Sequence, residues 1–176
     1  MRIEREYTAA IVVDYQEKLV PVMHDKDKLL HNSSILLEGL KILEVPMVVT
    51  QQYTKGLGMT VEEIAEAAGT SEYIDKISFT AFDCVKDKID AKKYIIVCGI
   101  EAHICVLQTV IDLKVAGFVP VLVSDCISSR KESDKQVAIE RARQEGAIVT
   151  TYESLLFELL KVAGTETSKK IQKLIR

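Results

Sequence analysis

The feature that most limits how this chain can fold is a set of short, unbroken apolar runs, rich in β-branched residues and separated by longer stretches of helical period. Four are plain: Thr8 to Asp14, Pro46 to Gln51, Tyr94 to Gly99 and Val119 to Ser124, with a shorter fifth at Ala147 to Thr150. A strand with one wet face alternates apolar and polar residues, whereas a strand apolar throughout must be covered on both faces. Parallel sheets with crossover helices provide that cover. Between the runs, Leu29, Leu36, Leu40 and Leu43 recur on one helical face. A charged helix is expected from about Ser133 to Glu145, an apolar one from Val106 to Ala116, and a terminal one from Thr165 to Arg176. The alternation predicts an α/β fold: a three-layer α-β-α doubly wound sandwich with a mostly parallel sheet of five to six strands.

The chain has 176 residues and no linker or internal repeat, so residues 1–176 are expected to form one domain. Its irregular part is Thr54 to Ala81, with a Gly56-Leu57-Gly58 turn, a helical patch near Val61 to Ala68 and a mixed segment from Tyr73 to Phe82. A stretch of this kind inside a domain is usually functional. Charge narrows the partners. With 23 basic and 26 acidic residues the net charge is −3, which leaves no footprint for nucleic acid or an anionic membrane, and a small-molecule substrate is expected. No run of apolar residues is long enough to span a bilayer. Cys84, Cys98, Cys105 and Cys126 form no Cys-x-x-Cys pair and are too few for a secreted disulfide framework. Met1 to Tyr7 lacks the pattern of a signal peptide, so a cytoplasmic location is expected.

In doubly wound sheets the ligand lies beyond the carboxyl ends of the strands, so polar residues directly after apolar runs come first. These are Asp14, then Gln51, Gln52 and Tyr53, then Glu101 to Cys105, then Asp125 to Arg130. Cys105 stands where a strand ends at Gly99 and an apolar helix begins, and a helix start is expected to lower its pKa and raise its reactive thiolate fraction. Asp14 emerges from a buried strand and can serve as a general base, with burial raising its pKa unless a cation lies close. A helix-cap role is the alternative for Asp14. Taken alone, Lys76 reads as a surface lysine.

Together these residues resemble the isochorismatase-like cysteine hydrolases. The resemblance rests on Asp14 after the first strand, Lys76 followed by Phe79-Thr80-Ala81-Phe82, and Gly99-Ile100 leading to Cys105 and then Gln108-Thr109 and Asp112. It extends through Val123 to Cys126, Glu145 to Ala147 and Thr150-Thr151, and is nearest the isochorismatase domain-containing subgroup in Gln52 to Gly58 and Gly99 to Gln108. It implies a triad in which Cys105 attacks a carbonyl carbon, Asp14 moves the thiol proton, and Lys76 stabilises the charged pair. It also implies a cis peptide at Ile100-Glu101 and an oxyanion hole made by the N–H groups of Glu101 and Cys105. Relatives commonly assemble, so a homo-oligomer, a dimer or larger, is expected.

Metal-binding nicotinamidases of this family carry Asp and His after the second strand, where this chain has Gln51-Gln52-Tyr53-Thr54, so neither a metal nor another cofactor is expected. The presence of Cys105 points to amide-like C–N cleavage through a covalent thioester rather than vinyl-ether hydrolysis. Gln52, Tyr53 and Phe82 are candidates for the substrate pocket, while His103 either faces that pocket or caps the turn. Arg130 either binds a substrate carboxylate or forms a surface pair. Cys84, Cys98 and Cys126 are expected to be packing residues away from helix starts. Two other classes compete: a nucleotide- or flavin-binding doubly wound module, and a non-catalytic relative. Val61 stands where the dinucleotide fingerprint needs its third glycine, which counts against the nucleotide reading.

Overall fold

In a computed structural model, which describes all of residues 1–176, one six-stranded sheet runs through the molecule with helices on both faces. Its strands are β1 (Thr8–Val13), β2 (Met47–Gln52), β3 (Ile74–Lys76), β4 (Tyr94–Ile100), β5 (Val119–Ser128) and β6 (Ile148–Thr150). Every pairing is parallel, and the order β3-β2-β1-β4-β5-β6 reverses direction between β1 and β4. The apolar runs are therefore the strands, and the sheet is parallel throughout.

The helices are α1 (Lys26–Ile42), α2 (Thr54–Leu57), α3 (Glu62–Ala68), α4 (Phe82–Ile89), α5 (Leu107–Val115), α6 (Glu132–Gln144), α7 (Tyr152–Leu160) and α8 (Glu166–Ile175). The continuous apolar strands split their side chains between two cores. Ala10 and Val12 of β1, with Tyr94, Ile96 and Cys98 of β4, pack with α1, α3, α7 and α8. Ala9, Ile11 and Val13, with Ile95 and Val97, pack with α4, α5 and α6. This two-sided demand is why the runs lack polar alternation. Leu155, Leu156 and Leu159 of α7 are buried in the first core, so α7 covers the sheet. Its cap is Thr151, whose hydroxyl accepts from Ser154 N. No helix is long and apolar enough to cross a membrane.

Four elements differ from the sequence expectation. β5 runs past Ser124 to Ser128, so Asp125 lies inside the strand, and α2 forms where the sequence predicts a Gly56-Leu57-Gly58 turn. The other two lie in the irregular stretch or just after it. β3 is three residues long with Asp75 exposed at its centre, too short and too polar to register as an apolar run. α4 buries only Val85 and Ile89 among charged neighbours. It also places Cys84 in a first helical turn, contrary to the expectation that this cysteine lies away from helix starts.

At the reversal point β1 and β4 approach closely. Gly99 pairs with Val13 and has φ +133°, and a Cβ built on it would lie 2.1 Å from Val13 O. Glycine is required there by space as well as by backbone angle.

Candidate active site

The carboxyl ends of β1, β2, β3 and β4 converge on one buried cluster. Asp14 follows β1, Gln52 ends β2, Lys76 ends β3 as the register partner of Gln52, and Cys105 lies in a π-helical turn, Ala102–Val106, after β4. The turn is closed by Val106 N donating to Glu101 O across five residues, the signature of a widened helical turn, which recurs at functional sites. Asp14 has φ +53°, the left-handed region, at a cost of about 1–2 kcal/mol for a residue with a Cβ. Such outliers gather where function over-determines the backbone. The Ile100-Glu101 peptide is cis.

Lys76, read from sequence alone as a surface lysine, is 5 % exposed. Its Nζ lies 2.7 Å from Asp14 Oδ2 and donates to Gln52 Oε1 at 2.7 Å, Phe79 O at 2.9 Å and Ser78 O at 3.1 Å. The ammonium has three protons to share among these three neutral acceptors and the carboxylate. Asp14 Oδ2 is ion-paired with Lys76 at hydrogen-bond distance, while Oδ1 accepts from Thr50 Oγ1 at 2.8 Å. Burial raises the Asp14 pKa, and Lys76 and Thr50 pull against it.

The Cys105 thiol faces this carboxylate. Burial first, and then the Asp14 charge, push its pKa up to about 12, while Lys76 and a backbone N–H from Glu101 aimed at the sulfur pull it down. This corrects the expectation of a low thiol pKa from the helix start: the amide dipoles are outweighed by desolvation and by the neighbouring negative charge. With its pKa pushed up, the resting thiol keeps its proton and directs it at the Asp14 carboxylate.

The other sequence candidates separate. Gln52 accepts from Lys76 Nζ and donates from Nε2 to Ile77 O at 2.7 Å, which ties it to the Lys76 cluster. Tyr53 is half exposed, and its ring lies against Gly56, where a Cβ would come within 2.3 Å of it. Phe82 is partly buried and packs edge-on against Phe118 with centroids 6.2 Å apart. His103 is partly buried, with Nδ1 2.8 Å from Ser129 Oγ and Nε2 4.0 Å from Asp134 Oδ2. Arg130 donates from both backbone N and Nε to Glu101 Oε2, which fixes the residue whose amide points at the thiol. Cys98 and Cys126 are fully buried in the core.

Sequence reasoning missed three supporting residues. Thr50 holds Asp14, Gln16 ties β1 to β2 through Gln52, and Thr109 donates to Cys105 O at 2.7 Å while accepting from Ala81 N. Thr50 and Thr109 carry a signal, a polar residue inside an apolar run or helix, whereas Gln16 lies in the loop after β1. A polar groove of about 410 Å³ between α1 and α6 includes none of the triad.

Fold and cluster together define a doubly wound α/β domain with a buried carboxylate, ammonium and thiol at its switch point. The chain belongs to the isochorismatase family, whose domain matches residues 8–154. A solved structure described as MAR1 ribonuclease from Caenorhabditis elegans is 36% identical, with a TM-score of 0.94 over 99% of this chain and 92% of that one. Isochorismatase domain-containing protein 2 of Bos taurus is 36% identical over 166 residues, 93% of this chain and 80% of its own. The secreted isochorismatase effector Isc1 of Phytophthora sojae is 36% identical over 173 residues, 94% of this chain and 82% of its own.

Proposed function

We propose that the protein is a cysteine hydrolase that cleaves a C–N bond of a small amide, with Cys105 as nucleophile, Asp14 as general base and acid, and Lys76 as the cation that keeps Asp14 ionised. The observation that carries this reading is the buried cluster itself: a carboxylate with no solvent exposure, ion-paired to Lys76 at 2.7 Å and facing the Cys105 thiol. Sγ attacks the carbonyl carbon as its proton passes to Asp14 Oδ2, and the oxyanion is met by the N–H groups of Glu101 and Cys105. When the C–N bond breaks, Asp14 returns that proton to the leaving nitrogen and a thioester remains. Water then attacks the thioester with Asp14 taking its proton, and the acid leaves as the thiol is restored. The sum is amide plus water to acid plus amine. Because the thiol starts protonated, the site never holds two adjacent anions without Lys76 between them.

No cofactor enters this chemistry. A reducing cytoplasm suits a free nucleophilic thiol, although one relative is named as secreted. Exposed Ile77, Val115 and Val137 suit a homo-oligomer, which light scattering after size exclusion tests. The function test is a screen of small amides, ureas and nicotinamide-like compounds for ammonia release, with Cys105→Ala as blank. RNA belongs in the same screen because one relative is described as a ribonuclease. RNA cleavage lost in Cys105→Ala, with no amide turned over, would replace the amide reading.

A further inference from the structure

The residue that points an amide N–H at the thiol also carries a charge. Glu101 aims its backbone N–H at the Cys105 sulfur, and its side chain leaves the same Cα, so its carboxylate stands within one side-chain length of the reacting atoms. The residue is 8 % exposed. Only one of its two carboxylate oxygens is engaged. Oε2 accepts from Arg130 N at 3.2 Å and from Arg130 Nε at 3.1 Å, whereas Oε1 accepts no hydrogen bond from the protein and keeps access to solvent. A carboxylate set this deep is costly while one of its oxygens is unmet, and a ligand that donates to it removes that cost.

The position also makes an electrostatic demand. In the proposed reaction an oxyanion forms against the Glu101 N–H, and a carboxylate beside a growing negative charge opposes it. Arg130 offsets part of this opposition. Its side chain is 60 % exposed, however, so water and salt screen its charge, and its Nε is directed at Oε2. A substrate N–H donor or cation on Oε1 would complete the offset. We infer that Glu101 is a specificity-determining residue: its free Oε1 receives an ammonium or other N–H donor carried near the scissile carbonyl, which makes the substrate an amino-substituted amide rather than one bearing a carboxylate. The inference rests on the hydrolase reading of this site and names the substrate class within it.

The neighbouring groups agree in sign. Lys76 is committed to Asp14, Gln52 and the loop carbonyls. His103, two residues after Glu101, has Nδ1 at Ser129 Oγ and Nε2 4.0 Å from Asp134 Oδ2. Asp134 thus adds a second carboxylate on the side of α6. A substrate carboxylate would meet two like charges there, with only the exposed Arg130 to hold it. Arg130 is therefore the counter-ion of Glu101 rather than a receptor for a substrate carboxylate.

The test needs no substrate. It compares two methanethiosulfonates of opposite charge, the 2-aminoethyl and the 2-sulfonatoethyl reagent, on Cys105 of the folded protein at pH 7, with non-reducing peptide mass spectrometry as readout. Sγ bonds to the reagent's sulfenyl sulfur, methanesulfinate leaves and the thiol proton goes to Asp14. The quantity read is the ratio of cationic to anionic labelling rates, divided by the same ratio for 2-mercaptoethanol, at about 0.15 M salt so that distant charges are screened. Loosening of the fold changes both rates alike, so a merely structural role leaves this ratio in place. Wild type is expected to favour the cationic reagent about tenfold, and Glu101→Gln to bring the ratio to about one. Arg130→Met leaves the carboxylate without its counter-ion and is expected to raise the ratio above wild type. The two variants have opposite signs, and either one, once its melting curve shows it folded, decides the matter. A Glu101→Gln ratio equal to that of wild type, an Arg130→Met ratio that does not rise, or a wild type that favours the anionic reagent overturns the inference and leaves the triad standing. If Asp14→Asn labels Cys105 at the wild-type rate with both reagents, the hydrolase reading fails, and the inference with it.

Discussion

Replacing Lys76 by methionine should destabilise the fold in a pH-dependent way whose size follows from Asp14. The carboxylate has no solvent exposure and its counter-charge lies 2.7 Å away. Without the ammonium, an ionised Asp14 would be a bare buried charge, so it protonates instead. An unfolded Asp titrates near pH 3.9, and holding it protonated at pH 7 costs about 1.4 kcal/mol per unit across roughly three units, or at most about 4 kcal/mol, less what the wild type already loses because burial raises its own Asp14 pKa. That agrees with the about 3–5 kcal/mol usual for breaking a buried pair. The sign follows from linkage. Loss of Lys76 raises the folded pKa of Asp14 still further above its unfolded value, so the penalty is nearly absent below pH 4 and grows as pH rises. At pH 4.5 it should fall to about 1 kcal/mol. A second penalty, for the carbonyls of Gln52, Ser78 and Phe79 left without a donor, is the same at both pH values. Urea denaturation followed by circular dichroism at pH 7 and 4.5, on wild type and Lys76→Met, measures the difference directly. Adding Asp14→Asn should erase the pH dependence and leave the constant part. Equal destabilisation of Lys76→Met at both pH values would refute the claim that Lys76 is there to hold an ionised Asp14.

Two further outcomes follow from the same electrostatics. With the thiol pushed up to about 12, the 240 nm absorbance difference between wild type and Cys105→Ala should show no thiolate step between pH 5 and 9. A step near pH 7 would mean that the thiolate is preformed. Iodoacetamide labelling of Cys105 should speed up with pH as Asp14 ionises, and Thr50→Val, which removes a hydrogen bond favouring the charged carboxylate, should move that rise upward by up to about one unit. An unchanged or lowered midpoint would place the Asp14 environment elsewhere.

The sheet was legible because parallel strands buried on both faces leave a mark that survives in composition: β1, β2, β4 and β5 are the apolar runs. β3 was not, since an edge strand of three residues needs only Ile74 and Lys76 to face inward and carries Asp75 on its outer side. The triad residues were named from the sequence, but their electrostatics were not. A helix-start argument for Cys105 counts the amide dipoles, which are local, and omits the Asp14 charge, which arrives from a strand 91 positions earlier and enters through the topology. Gln52 shows the same limit. Its position after β2 marked it as functional, while its partner, Lys76, is fixed by β2–β3 pairing that no local pattern announces.

The central claim is that Cys105 becomes acylated during turnover of an amide. Once the screen yields a substrate, acid quench within the first turnovers followed by intact-mass and peptide analysis reads this directly. The account predicts a mass increase equal to the acyl group, carried on the Cys105 peptide, removed by hydroxylamine and absent in Cys105→Ala, which should also release no ammonia. Turnover at the wild-type rate by Cys105→Ala would contradict it.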